Sequence, residues 1–117
     1  MIFVIDDDLM MAECIVREAG VKAQIFTNGI EAIQALDECV PNLIFLDILL
    51  DGPDGFSVLN ELSSYNDTEK IPVVIVTSLN LEYTAKELLD YGVVKVLKKD
   101  TMMPEDIKKM VKEYTEL

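Results

Sequence analysis

The chain has 117 residues, half of them hydrophobic, with 22 acidic against 10 basic residues, a net charge of −12, two cysteines and no histidine. That length fits one domain with a real core, the charge repels nucleic acid and anionic lipid while suiting a cationic metal or a basic protein partner, and the missing histidine excludes a histidine base or metal ligand. No apolar run reaches the ~20 residues of a membrane span, no basic-then-apolar leader opens the chain, and Cys14 and Cys39 form no CxxC pair, so the expectation is a cytoplasmic protein with buried, reduced thiols and no membrane contact.

Ile2 to Ile5 reads as a first strand and runs into Asp6-Asp7-Asp8. Leu9 to Ala19 places Met11, Ile15 and Ala19 on one helical face, with Asp8 as its cap and Gly20 as its stop. Ala23 to Phe26 is a shorter strand. Asn28 is placed to cap a second helix, with Glu31 three residues on and Ile33 and Leu36 turned inward. Pro41 breaks the chain before Leu43-Ile44-Phe45-Leu46, an apolar run of the kind buried on both faces of a parallel sheet, and this run ends on Asp47.

Asp51-Gly52-Pro53-Asp54-Gly55 is dense in turn residues, and Asp51 and Asp54 read as turn formers. Phe56 to Ser64 follows as a helix with Phe56, Leu59 and Leu62 inward. Pro72 stands at the start of a fourth strand, Val73 to Val76, which ends at Thr77-Ser78. Leu81 to Tyr91 is expected to be helical, with Ala85, Leu88 and Leu89 inward and Gly92 as its stop. Val93 to Leu97 is a fifth strand, followed by Lys98-Lys99-Asp100. Pro104 suits the first turn of a last helix, with Ile107, Met110, Val111 and Tyr114 on one stripe. Met102 and Met103 read as gap-filling apolar residues and Lys98 as a solvated charge.

Strand and helix alternate five times, which implies an α/β fold, a doubly wound parallel five-stranded sheet with helices on both faces. All its strands end at one edge, where such sheets bind ligands. Asp6, Asp7, Asp47, Thr77 and Lys99 follow strands one, three, four and five, and so share one crevice. Two carboxylates ~5 Å apart repel by roughly 3 kcal/mol at an effective dielectric of 20, so three of them either raise their pKa values or recruit a cation. An all-oxygen donor set without histidine or cysteine selects a hard ion, Mg²⁺ by preference. The loop after strand one has no glycines to bring backbone N–H groups to a nucleotide phosphate, and no G-x-S-x-G or Ser/His/Asp set exists. Mg²⁺-assisted phosphoryl chemistry with a carboxylate nucleophile remains.

The chain resembles the receiver domains of two-component response regulators. Val4-Ile5-Asp6-Asp7-Asp8 resembles their acidic pair after strand one, and Leu46-Asp47-Ile48 with Asp54-Gly55 their phosphoacceptor loop. Val76-Thr77-Ser78 resembles their hydroxyl strand end, and Leu97-Lys98-Lys99-Asp100 the lysine end of strand five, with the spacing from Gly92 selecting Lys99 over Lys98. The resemblance implies a single receiver domain over 1–117 with strand order 2-1-3-4-5 and no effector domain in this chain. It implies that Asp47 takes a phosphoryl group from a phosphohistidine of a partner kinase or phosphotransfer protein and signals through altered protein contacts. It further implies Mg²⁺ on Asp6 (largely through water), Asp7, Asp47 and the backbone carbonyl of Leu49, with Thr77 and Lys99 on the phosphoryl oxygens. The expected state is a monomer or weak homodimer, with a possible downstream protein target.

Three departures qualify the resemblance. Val96 stands where the family usually has a switching aromatic. Asp100 stands where a proline often follows the lysine, so the Lys99–Asp100 peptide is expected to be trans. Leu49 and Leu79 lie two residues beyond Asp47 and Thr77, positions that influence water access in the family, and imply slow self-dephosphorylation. Two other readings compete with phosphorylation: an interaction module that keeps the fold without it, and a Mg²⁺-dependent phosphatase needing Asp51 as its acid.

Overall fold

The computed structural model describes residues 1–50, 54–65 and 67–115, the side chain of Ala85 excepted. The expectations for Asp51 and for an inward Ala85 therefore lie outside the described residues. Five strands, β1 (Ile2–Ile5), β2 (Ala23–Phe26), β3 (Leu43–Leu46), β4 (Val73–Thr77) and β5 (Val93–Lys98), alternate with five helices, α1 (Leu9–Ala19), α2 (Gly29–Ala35), α3 (Gly55–Ser63), α4 (Ala85–Asp90) and α5 (Pro104–Thr115). The strands form one parallel sheet in the order β2-β1-β3-β4-β5, as the resemblance implied. Among the described residues no peptide bond is cis, so Lys99–Asp100 is trans as expected.

The period-two alternation of strand side chains divides the core into two layers. Phe3, Ile5, Ile44, Leu46 and Ile75 face α2 and α3 through Leu36, Val58, Leu59 and Leu62. Ile2, Val4, Phe45, Val74 and Val76 face α1 and α5 through Ala12, Ile15, Ile107, Met110 and Val111. Strands β1, β3 and β4 are buried along their whole length, which is why their sequences are unbroken apolar runs, whereas the edge strands β2 and β5 are only partly buried.

Local capping fixes where the helices begin. Asp8, Asn28 and Asp54 each accept a hydrogen bond from the backbone N–H three residues on, at Met11, Glu31 and Ser57. α4 departs from expectation. It starts at Ala85 rather than Leu81, because Thr84 and Glu87 form a reciprocal capping box that sets its first turn. The shortened helix turns Leu88 onto the core but leaves Leu89 63% exposed, so the inward placement of Leu89 is corrected. Two smaller corrections follow from packing. Cys14 and Cys39 are free but only half-buried, and Met103 is 59% exposed while Met102 fills the core edge. Phe56 packs inward on the core as expected, half-buried and against Tyr83. Among the described residues, no helix is long and apolar enough to cross a membrane.

Candidate functional site

The ends of the strands are stitched together by their own backbones. Asp6 N–H donates to Phe26 O at 3.0 Å, Asp47 N–H to Ile5 O at 2.9 Å, and Lys99 N–H to Thr77 O at 2.9 Å. Each site residue is thus the first one past its strand, or the last one within it, and is held by the neighbouring strand. Parallel pairing delivers Asp6, Asp47, Thr77 and Lys99 to the same edge, as the alternating pattern required.

Asp6 and Asp47 are the buried acids of this edge, 1% and 4% exposed. The Lys99 ammonium lies between them, 3.0 Å from Asp6 Oδ2 and 2.8 Å from Asp47 Oδ2. The other oxygen of each acid is held by its own turn: Asp6 Oδ1 accepts from Asp8 N–H at 2.9 Å, and Asp47 Oδ1 from Leu49 N–H at 3.1 Å. These turns fix both carboxylate planes. Burial raises the Asp6 pKa above its ordinary 3.8 despite the Asp8 N–H and the Lys99 ammonium beside it. For Lys99, burial disfavours the charge, but the hydrogen bonds and charges of Asp47 and Asp6 outweigh burial and raise the group above 10.5. The ammonium therefore stays charged at neutral pH.

Asp7 is exposed, and one of its oxygens joins those of Asp6 and Asp47 in a cluster whose atoms all lie within 4.8 Å of one another. Its donor set is oxygen only. Asp6 Oδ2 is buried with no well-formed hydrogen bond, its neighbour being the Lys99 ammonium at ion-pair distance. Two buried carboxylates held by their turns, one exposed carboxylate and a buried oxygen without a well-formed hydrogen bond fit a hard divalent cation. Asp8, by contrast, spends its carboxylate on the α1 cap.

Thr77 is fully buried, and its Oγ1 accepts from Leu79 N–H at 3.2 Å, leaving its own proton free to donate. Leu49 sits in the turn after Asp47 with its side chain exposed at the rim, as does that of Leu79 after Thr77. Every sequence-predicted site residue is therefore at this edge.

Two further features border the site, the first foreshadowed by the Asp54-Gly55 resemblance and the second not. Gly55 brings the start of α3 against the turn after Asp47: its N–H donates to Ile48 O at 2.9 Å, and a Cβ built on it would stand 2.5 Å from Ile48 Cα and 2.6 Å from Asp47 O. The Asp54-Gly55 pair was the available signal. Lys98 is half-buried overall and its Nζ stays at the exposed surface, as a solvated charge would, but it is also engaged: it donates to Asn80 Oδ1 at 2.6 Å and to Ser78 O at 3.2 Å. Nothing in the local sequence announces that pairing across 18 residues.

Comparison with known proteins points one way. The family model for the response regulator receiver domain matches residues 2–112. A transcriptional regulatory protein ZraR of Klebsiella oxytoca is 32% identical over 94 residues, covering 78% of this chain and 21% of that protein. The signal receiver domain of a signal transduction histidine kinase from Syntrophus aciditrophicus superposes with a TM-score of 0.80 at 27% identity, covering 97% of this chain and 87% of that one. The Mn²⁺-bound form of response regulator Rcp1 superposes with a TM-score of 0.73 at 25% identity, covering 96% and 88%. The chain spans 21% to 34% of the length of the curated relatives it matches.

Proposed function

This chain belongs to the response regulator receiver domain family, and on that premise we propose that Asp47 accepts a phosphoryl group from a phosphohistidine of a partner kinase or phosphotransfer protein. The single observation that carries this reading is the Asp6–Lys99–Asp47 ion pair beside the exposed Asp7, at the strand edge where the fold binds ligands. A carboxylate oxygen of Asp47 forms the bond to phosphorus, the P–N bond to the donor histidine breaks, and the leaving imidazole keeps the bond's electron pair. The Lys99 ammonium is positioned to move onto a phosphoryl oxygen, and the Thr77 hydroxyl has a proton to give to another. Such a loose transfer needs charge neutralisation and alignment more than covalent help.

Asp6, Asp7 and Asp47, with the backbone carbonyl of Leu49, would hold Mg²⁺. When bound, the ion supplies charge neutralisation for the transferred group. The Asp6 oxygen without a well-formed hydrogen bond and the all-oxygen donor set support this ion, and a relative of the same fold carries Mn²⁺. Leu49 and Leu79 flank the pocket as apolar groups and would slow attack of water on the acyl phosphate. We read the domain as cytoplasmic, with its output carried by contacts to another protein.

Intact mass after incubation with a small phosphodonor tests the proposal. One added phosphoryl group that needs Mg²⁺ and is lost in Asp47→Asn supports it. No addition in a folded, Mg²⁺-binding protein, with the cognate kinase also tried, would favour an interaction module that works without phosphorylation.

A further inference from the structure

Lys98 and Lys99 are adjacent, yet their ammonium groups go to different places. Successive residues of an extended strand project to opposite sides, so Lys99 turns into the acidic pocket while Lys98 reaches across to the segment after β4. There it donates to the backbone oxygen of Ser78 and to the side-chain oxygen of Asn80. Ser78 directly follows Thr77, and Thr77 pairs in register with Lys98 on the neighbouring strand. The segment between Thr77 and α4 has no helical hydrogen bonds of its own, since α4 begins only at Ala85. Its other attachments are the Leu79 N–H on Thr77 Oγ1, the side chain of Leu81 against the core, the Thr84 cap and the ring of Tyr83 against Phe56 at 5.1 Å. Val96, half-buried in β5, has no ring to place beneath this segment.

We propose that Lys98 is a positioning residue for the phosphoryl site: it clamps the segment that follows Thr77 and so fixes where the Thr77 hydroxyl stands. The inference rests on the phosphorylation reading above. Lys98 touches none of the three clustered carboxylates, so its action runs through Thr77 and leaves the metal cluster alone. The same backbone carries Lys99 into the pocket, so movement of Lys99 onto a phosphoryl oxygen is felt at the clamp one residue away. In this chain the clamp supplies a link between pocket and α4 that Val96 does not.

The test compares wild type, Lys98→Met, Lys98→Arg, Asn80→Ala and the double variant Lys98→Met/Asn80→Ala. The readouts are the rate of phosphorylation by a small phosphodonor and the Mg²⁺ concentration needed for half-maximal rate. A displaced reacting group can cost ~10²-fold when it moves by 1 Å; loosening a support one residue away should slow the rate by about 5- to 10-fold in Lys98→Met. The half-maximal Mg²⁺ concentration should not move, Lys98→Arg should restore most of the rate, and the double variant should be no slower than Lys98→Met alone. A Lys98→Met rate equal to wild type, or a purely additive double variant, overturns the inference while leaving the phosphorylation reading intact. Failure of folded, Mg²⁺-binding wild type to gain a phosphoryl group from either a small phosphodonor or the cognate kinase would refute that reading, and this inference with it.

Discussion

Replacing Lys99 with methionine keeps much of the side chain's volume and removes the ammonium between Asp6 and Asp47. Their Oδ2 atoms lie 3.0 and 2.8 Å from that nitrogen, so they are at most 5.8 Å apart. At an effective dielectric of 20, two carboxylates at that distance repel by about 3 kcal/mol. All three groups are mostly buried, with side-chain exposures of 17%, 2% and 4%, so solvent screens the pair little. Breaking such an arrangement from one side leaves buried charge uncompensated, and a loss of about 3 kcal/mol is expected near neutral pH. With a slope of about 1.5 kcal/mol/M, the urea midpoint followed by far-ultraviolet circular dichroism should fall by about 2 M. The signature is its pH dependence. Burial already raises Asp6, and loss of the ammonium raises it further, so a proton enters the pair as the pH drops. The penalty should therefore shrink by more than half between pH 7.5 and pH 5, and Asp6→Asn in the Lys99→Met background should recover most of it. An equal loss at both pH values, with no recovery by Asp6→Asn, would show that packing of the lysine stem, not charge, holds the pocket together.

The same linkage fixes the alkaline behaviour of the wild type. Lys99 is raised above 10.5, so its contribution to stability is complete below that value and is lost as the pH rises through the folded-state value; a urea series from pH 9 upward should show this loss in wild type and not in Lys99→Met. Asp6, also raised, contributes most below 3.8 and loses that contribution as the pH climbs through its folded value. Mg²⁺ at a hundred times its dissociation constant should stabilise by about 2.7 kcal/mol, or about 10 °C in Tm, and Asp7→Asn should abolish this shift while leaving metal-free stability within about 0.5 kcal/mol. Gly55→Ala places a methyl group against Ile48 and the Asp47 carbonyl, so a cost of about 2–3 kcal/mol in urea unfolding is expected. Thr84→Ala removes the α4 capping box and should cost about 1 kcal/mol, read as weakened amide protection in α4.

The site was readable because the chain encodes it locally. Unbroken apolar runs ending in Asp6, Asp47 and Thr77 specify doubly covered parallel strands, and parallel strands leave no choice about which edge their C-terminal residues share. Strand order did not follow from that alternation and came only through family resemblance. α4 was misread because Leu81, Leu88 and Leu89 satisfy a helical period, while the capping box at Thr84 and Glu87 outranks the period in setting the start. The partners of Lys98 could not be read beforehand because Ser78 and Asn80 lie 18 to 20 residues earlier and come beside it only through the pairing of β4 with β5.

The two buried carboxylates and their counter-ion do not share the same mechanical support. Asp6 and Asp47 extend from β1 and β3, which have a hydrogen-bonded strand on each side, whereas Lys99 extends from β5 at the rim of the sheet. Local openings far smaller than global unfolding are easiest where an element is less buried, and β5, paired on one side only, is less buried than β1 or β3. Each detachment of the end of β5 would withdraw the ammonium while the carboxylates stay in place. The amides around Lys98 and Lys99 should then exchange with solvent faster than those of Asp6 and Asp47. The pocket thus draws its carboxylates from interior strands and its counter-ion from a rim strand.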